Sequence, residues 1–253
     1  MKETLKKLYN FLDDDIPYHA ASLSFFTIFS ILPLLALLIV IVSTLPVFQS
    51  YADLLLIYLL DFINPIHSKT LTESINSFLV NTDKLGTIGI FYLIFVFTMF
   101  FRDYENIVNK IYKTNKRALY KVFILYLSFL IMIPFIFLVF LFLNTFFTFT
   151  FSGDILIFLF IWFIFIILFV LSANTKVSYK AATISSFLTL ISLSITKSLF
   201  GYYVTANTAY KTIYGSFSVV LFFFLWIYVS WIIYLYGMKI CSTINKGNLN
   251  NEA

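Results

Sequence analysis

Charged side chains are scarce in this chain of 253 residues. Only 11% of the residues are Asp, Glu, Lys or Arg, whereas soluble globular proteins have about 25%. Because so few polar groups cannot cover a surface that faces water, a soluble globular fold is excluded. With 61% hydrophobic residues, the chain is predicted to lie mostly in lipid. Its 7 glycines and 5 prolines also exclude collagen-like and low-complexity disordered classes.

Metal-binding and redox-active side chains are also few. The single cysteine, Cys241, excludes an internal disulfide and any multi-cysteine metal site. The only histidines, His19 and His67, exclude a histidine-rich metal centre. The 12 acidic residues are scattered over the N-terminus, loops and tail, whereas metal-dependent phosphodiester cleavage needs clustered ligands. We therefore predict that the chain is not an enzyme, has no nuclease activity, no catalytic residue and no metal, and needs no cofactor.

Six apolar runs are separated by polar segments. A helix needs about 20 mainly apolar residues to cross a bilayer, because hydrocarbon satisfies no backbone polar group. The runs therefore predict an all-α, polytopic membrane bundle of six transmembrane helices, forming one domain over residues 1–253. The predicted spans are residues 22–45, 86–101, 119–143, 155–173, 181–201 and 214–237.

The segments outside the spans have distinct compositions. Residues 1–21 are predicted to form a cytoplasmic N-terminal helix, and residues 46–85 an outer loop with a short pair of amphipathic helices. Residues 102–118 form a basic cytoplasmic loop that begins by continuing the second span as a helix. These segments also contain most of the charged residues.

The distribution of Lys and Arg predicts the orientation. With the N-terminus inside, all but four of the 17 basic residues fall on the cytoplasmic side, as the positive-inside rule requires. Both termini are then cytoplasmic. This asymmetry accounts for the net charge of +5, so no nucleic acid is expected as a partner. The expected partners are membrane lipids, with anionic phospholipid at the cytoplasmic face; the oligomeric state is not predicted.

A stripe of small hydroxyl side chains runs along the fifth span. Ser185, Thr189, Ser192 and Thr196 follow one another at spacings of four, three and four residues, which places them on one helix face. Small residues are common where membrane helices pack closely. The stripe therefore faces either a neighbouring helix or a polar cavity on a substrate path.

The first span contains similar features. Ser24 and Thr27 precede Pro33, and a proline inside a helix removes a backbone hydrogen bond and bends the helix. We consider these three residues candidates for a substrate path, although kinked helices with small residues also occur in bundles that transport nothing.

Lys197 is a cation inside the fifth predicted span, and it lies near the outer end of that span. Its side chain either snorkels to the interface or binds an anion or a lipid headgroup. Tyr202, Tyr210 and Tyr214 follow it and are candidates for the same contact.

Four stretches resemble the YihY/BrkB family of bacterial inner-membrane proteins, which was once labelled ribonuclease BN. They are Ala20–Leu38, Asn81–Ile90, Glu105–Arg117 and Tyr214–Ile240. The resemblance covers nearly the whole chain. The positions that match the family's motifs are Asn106, Asn109, Gly215, Trp226 and Gly237.

The resemblance implies a multi-pass inner-membrane protein with six spans and both termini inside. The family usually ends its sixth span with Gly-Ala-Glu, whereas this chain has Gly237, Met238 and Lys239, so no role of that glutamate transfers. Lipid or amphiphile transport has been suggested for the family. We predict a transporter or flippase-like protein for a lipid or other amphiphile; the alternative is a structural or interaction protein of the envelope that transports nothing.

Overall fold

The computed structural model describes residues 15–44, 57, 60–61, 69–80, 86–147, 153–206 and 217–251. Within these ranges the chain is helical apart from short connections and has no strand. The seven helices are α1 Ile16–Thr44, α2 Lys69–Val80, α3 Gly86–Tyr112, α4 Leu119–Phe147, α5 Gly153–Ser172, α6 Tyr179–Ala206 and α7 Phe217–Asn251.

Helix α7 lies at the centre of the packing, where it contacts α6, α1 and α3. Helix α5 packs against α6, and α3 packs against α1 and α4. The core between them contains large apolar side chains from four helices that are almost completely buried: Phe97, Tyr126, Phe169 and Leu235. Burial of such side chains stabilises helix contacts through dispersion and close packing, because lipid tails are as apolar as the core.

The outer surface of the bundle is apolar. Phe91, Phe142, Phe163 and Leu199 each expose more than half of their surface. A soluble monomer rarely exposes large contiguous apolar patches, whereas a surface that contacts acyl chains must be apolar. The exposed side chains therefore indicate that lipid surrounds the helices.

Four of the described helices are long and apolar enough to cross a membrane. These candidate spans are Leu119–Phe142, Ile155–Ser172, Tyr179–Val204 and Ser218–Gly247. They confirm the helical membrane class and coincide with the last four predicted spans. Residues 22–44 of the first predicted span lie within α1 and the second predicted span lies within α3, and the count of six spans stays a prediction.

The helix bounds differ most from the predicted bounds at three places. Helix α1 begins at Ile16, so residues 16–21 are its first turns. Helix α3 continues past residue 101 to Tyr112, as the basic loop was expected to do. Helix α7 continues past Gly237 to Asn251, because residues beyond the glycine, such as Cys241, are buried in the core.

The outer loop contains the second helix of the predicted amphipathic pair. Helix α2 buries Ile75 and exposes Glu73 and Asn76, so its faces differ in polarity. Of the first helix of the pair, only residues 57, 60 and 61 are described, and they are helical.

One end of the bundle contains both short connections, residues 113–118 and 173–178, and we call it the basic end. The side chain of Asn245 near the end of α7 bonds to the backbone of Lys176 and Ser178 there. Helix α1 begins at this end as well, because Asp15 and His19 line a cavity together with Lys239 of α7. The first described helix thus begins, and the last ends, at the same end of the bundle. Which side of the membrane this end faces stays a prediction.

Candidate functional site

A cavity of about 330 Å³ lies in the middle of the bundle. All six long helices contribute to its wall, and its lining is almost entirely apolar. Representative lining residues, one from each of α1, α3, α4, α5, α6 and α7 in that order, are Thr27, Phe101, Phe129, Phe165, Leu193 and Ile227. The central cavity is therefore suited to hydrocarbon rather than to ions or sugars.

Aromatic side chains form one wall of the central cavity. The ring of Trp231 lies 5.9 Å from that of Tyr104 and 5.5 Å from that of Tyr234, measured between centroids. The indole N–H of Trp231 donates to the hydroxyl of Thr27 at 2.8 Å, and that hydroxyl donates to the carbonyl of Leu23 at 2.7 Å. Because each polar hydrogen has an acceptor within the protein, the wall offers few unsatisfied polar groups to a ligand.

A layer of three hydroxyl groups closes the central cavity toward the basic end. Tyr104 shares its hydroxyl with Ser172 at 2.7 Å and with Tyr234, so helices α3, α5 and α7 are joined at one point. Tyr112, two turns further along α3, is also buried, and burial raises the pKa of its hydroxyl. Tyr112 therefore stays neutral at physiological pH.

A buried ion pair lies on the basic-end side of this hydroxyl layer. Glu105 is only 1% exposed, and its carboxylate lies 3.6 Å from the guanidinium of Arg117. The same carboxylate accepts hydrogen bonds from the Asn109 side chain at 3.2 Å and from the Arg117 backbone N–H at 3.3 Å. A charge removed from water in this way is tolerated only when it is paired and hydrogen-bonded.

Arg117 also caps helix α5. Its guanidinium donates to the carbonyl oxygens of Leu171, Ser172 and Ala173 at 3.1, 3.4 and 2.8 Å. The last carbonyls of a helix have no partner inside the helix and carry the negative end of its dipole. One cation therefore neutralises a buried carboxylate of α3 and the C-terminus of α5.

The asparagines identified by the family resemblance lie in this network. Asn109 is buried, and its side-chain oxygen accepts from Thr114 at 2.8 Å and from the backbone of Asn174 at 3.2 Å. Asn106 lines an adjacent cavity of about 270 Å³ together with Glu105 and Arg117. No role was predicted from the sequence for Glu105 or Arg117, although they are the first and last residues of one of the four stretches that resemble the family. The available signal was that two residues of opposite charge stand at the two ends of this basic segment.

The hydroxyl stripe of α6 divides between two environments. Ser185 and Thr189 are buried, and Thr189 lies against Gly237 of α7. Ser192 is exposed and Thr196 is half-buried. From this part of α6 the central cavity is lined by Leu193 and not by the stripe residues. The buried half of the stripe is therefore a helix-packing surface, and a substrate path along the whole stripe stays a prediction.

The candidates in the first span also divide. Thr27 lines the central cavity, whereas Ser24 is buried and donates to the carbonyl of Ala20. Helix α1 includes Pro33, but its side chain lies outside the described residues, as do Tyr210, Tyr214 and Gly215. Trp226, the remaining motif position, lines the central cavity and packs on Phe200 with 5.6 Å between ring centroids.

Lys197 forms an ion pair with a residue of the outer loop. Its ammonium group lies 2.7 Å from the carboxylate of Asp61, and the two side chains are 31% and 52% exposed. Tyr202 on the same helix is 75% exposed. An anionic substrate at Lys197 would therefore compete with Asp61.

The Lys197→Ala substitution is expected to lower the free energy of unfolding by less than about 1 kcal/mol, because exposed ion pairs are weak. Thermal denaturation in detergent measures this change, with Lys211→Ala as the control for loss of one lysine. A loss of several kcal/mol would contradict the description of this pair as a surface contact.

Within the described residues, no three His, Cys, Asp or Glu side chains come together as metal ligands would. Polar groups do converge in the hydroxyl layer and in the Glu105–Arg117 network. In both places the polar groups bond to side chains and backbone carbonyls of neighbouring helices, so they join the helices to one another.

The apolar lipid-facing surface and the four candidate spans define a helical integral membrane protein. A family model described as virulence factor BrkB matches residues 8–253. The chain therefore belongs to the BrkB virulence factor family, which confirms the resemblance drawn from the sequence motifs.

Curated relatives of this chain are also named as membrane proteins. A UPF0761 membrane protein of Pseudoalteromonas translucida is 29% identical over 95% of this chain and 85% of its own length. One from Psychromonas ingrahamii is 28% identical over 92% and 84%, and one from Actinobacillus pleuropneumoniae is 29% identical over 93% of both chains. Their names state a membrane protein and no reaction. No solved structure matches the chain.

Proposed function

We propose that this protein moves an amphiphile with a hydrocarbon chain, such as a lipid, through the membrane by way of the central cavity. The observation that carries the proposal is an apolar cavity of about 330 Å³ at the point where all six long helices meet. The cavity is partly open, and its volume lies within the roughly 300–1,000 Å³ typical of small-molecule sites.

The lining of the central cavity supports a hydrocarbon ligand. An ion or a sugar would lose its bonds to water on entry and would need polar partners in return. The wall offers mainly rings and aliphatic groups, and its Thr27 and Trp231 polar hydrogens already have acceptors. An acyl chain needs no hydrogen bond and gains dispersion contacts with these rings.

Movement of an amphiphile also requires that the cavity change shape. The hydroxyl layer of Tyr104, Ser172 and Tyr234 closes the side toward the basic end. Rocking of helices about fixed contacts is a common way for a transporter to open one side at a time. The layer consists of neutral hydroxyl groups, and separating them requires less energy than separating buried charges.

The test uses one leucine in the cavity and one on the lipid-facing surface of the same helix. Leu193 is 4% exposed and lines the central cavity, whereas Leu199 is 63% exposed. Leu193→Trp is expected to slow lipid movement roughly tenfold, which corresponds to about 1.4 kcal/mol on the barrier, because the indole fills part of the cavity. Leu199→Trp should leave the rate unchanged.

The measurement is the rate at which fluorescent lipids of several headgroups cross the bilayer of liposomes that contain the purified protein. A membrane-impermeant quencher reports the labelled lipid that remains outside. Size-exclusion chromatography of both variants shows whether they remain folded. Equal rates for the two tryptophan variants would contradict passage through the central cavity.

A structural or interaction protein of the envelope is the second candidate. The buried half of the α6 stripe favours it, since Ser185 and Thr189 lie in a helix contact and line no hydrophilic channel in the described part of the chain. Lipid movement no faster than in protein-free liposomes, for every lipid tested, would favour this candidate over transport.

A further inference from the structure

A second cavity, of about 500 Å³, lies at the basic end between the start of α1, the end of α3 and the end of α7. We call it the lysine cavity. Four lysines line it: Lys110, Lys113, Lys239 and Lys246. They come from two helices and the connection after α3, so the fold brings together charges that are far apart in the chain.

Among the described lining residues of the lysine cavity, positively charged groups outnumber negatively charged ones. Among its described lining residues, Asp15 is the one carboxylate, and His19 is the other titratable group. Four cations around one cavity repel one another and create a positive potential that attracts anions. A bound anion would relieve this repulsion.

Nearby hydroxyl groups are already engaged with the backbone. Ser242 donates to the carbonyl of Ile111 at 3.5 Å, and Thr243 donates to the carbonyl of Lys239 at 2.9 Å. Because a hydroxyl has one hydrogen to donate, these two hydroxyls contribute little to recognition of an anion, which would depend on the ammonium groups of lysines such as Lys110, Lys113 and Lys246. Apolar surface from Ile16 and Ile111 completes the lining.

We propose that the lysine cavity binds a phosphate group, as carried by an anionic amphiphile. A lysine ammonium is a compact point charge that binds phosphate well. The volume lies within the roughly 300–1,000 Å³ typical of small-molecule sites, so the cavity has room for a phosphorylated headgroup. The apolar residues beside the lysines suit the carbon atoms next to that phosphate.

The inference deepens the proposed function by naming the headgroup chemistry, and it rests on the proposed function only in linking this ligand to transport. The phosphate has two possible sources: a membrane lipid, or a soluble phosphorylated compound. Binding is measured on the full-length protein in detergent, where no transport takes place. A failure to bind phosphate can therefore be distinguished from a failure to transport lipid.

The experiment compares two double variants. Lys110→Gln with Lys246→Gln removes one cavity lysine from each of α3 and α7. Lys176→Gln with Lys180→Gln removes two exposed lysines at the same end of the bundle that do not line the cavity. The probes are short-chain phosphatidylglycerol, phosphatidylcholine of the same chain length, and glycerol 3-phosphate, with affinity read by intrinsic tryptophan fluorescence or native mass spectrometry.

The cavity variant is expected to bind phosphatidylglycerol about 25-fold more weakly than the unaltered protein, since each lysine near a membrane contributes about fivefold. The other variant should bind within about threefold of the unaltered protein. Equal losses in the two variants, or equal binding of phosphatidylcholine and phosphatidylglycerol, would overturn the proposal. Glycerol 3-phosphate binding as tightly as the lipid would support phosphate recognition and assign the ligand to a soluble compound.

Discussion

Arg117→Ala is expected to lower the free energy of unfolding by about 3–5 kcal/mol, the usual effect of removing one partner from a buried ion pair. The substitution leaves the carboxylate of Glu105 buried without its cationic partner. It also removes the donors that bond to three carbonyl groups at the end of α5. Thermal denaturation of the purified protein in detergent measures the loss.

Two further variants separate the ion pair from a general effect of charge. Arg102 is an exposed cation that lines the same 270 Å³ cavity as Arg117, and Arg102→Ala should change stability by less than about 0.5 kcal/mol. Adding Glu105→Gln to Arg117→Ala should recover part of the stability, because the unpaired buried charge is then removed. If Arg102→Ala and Arg117→Ala are equally stable, the buried pair does not hold α3 to α5.

Gly237→Ala is expected to destabilise the protein by about 1–3 kcal/mol, the range for inserting a methyl group into a packed core. A Cβ at this position would overlap the hydroxyl oxygen of Thr189 and lie 3.1 Å from its Cβ. It would also lie 3.2 Å from the ring of Phe169. Helices α6 and α7 approach closely because position 237 has no side chain, so the same denaturation measurement should show a lower midpoint.

The same helix supplies the control for this glycine. Nothing lies within 4 Å of a Cβ built on Gly247, so Gly247→Ala should be neutral or slightly stabilising through its better helix propensity. Combining Gly237→Ala with Thr189→Ala should restore much of the loss, since the overlapping oxygen is removed. A Gly237→Ala protein as stable as Gly247→Ala would show that α6 and α7 do not need this close approach.

These contacts also define which parts of the bundle a transport cycle would preserve. The Glu105–Arg117 network joins α3 to α5, and the Gly237 contact joins α6 to α7. Breaking either contact would require a large free energy. The uncharged Tyr104–Tyr234 bond of the hydroxyl layer joins α3 to α7 and would be the contact most suited to opening during such a cycle.

Helix positions were predictable from sequence to within a few residues for most spans. The run 155–173 corresponds to helix Gly153–Ser172, and 181–201 lies inside Tyr179–Ala206. The end of α7 was not predictable, because a glycine such as Gly237 after an apolar run is also typical of a helix end. Packing decided otherwise: the turns after Gly237 bury apolar side chains against the other helices.

Candidate residues were harder to predict than helices. Thr27 and Trp226 do line the central cavity, but Tyr104, Ser172 and Tyr234 were not identified, because the residues that meet in the hydroxyl layer are 68 and 130 positions apart. The polar stripe on α6 was visible in sequence, yet its spacing is the same for a packing surface and for a channel wall.

Composition and hydropathy determined that this protein is helical and lies in a membrane, since apolar runs of about 20 residues satisfy their own backbone groups in lipid by forming helices, and side chains that face lipid are mainly apolar. That requirement acts on each segment separately and is therefore visible in the linear chain. Only the tertiary structure decided that Glu105 pairs with Arg117, that the side chain of Thr189 packs against Gly237, and where the cavities lie. Helices such as α4 and α5 are apolar on nearly all sides, so their sequences contain no amphipathic face to indicate how each helix is rotated toward its neighbours.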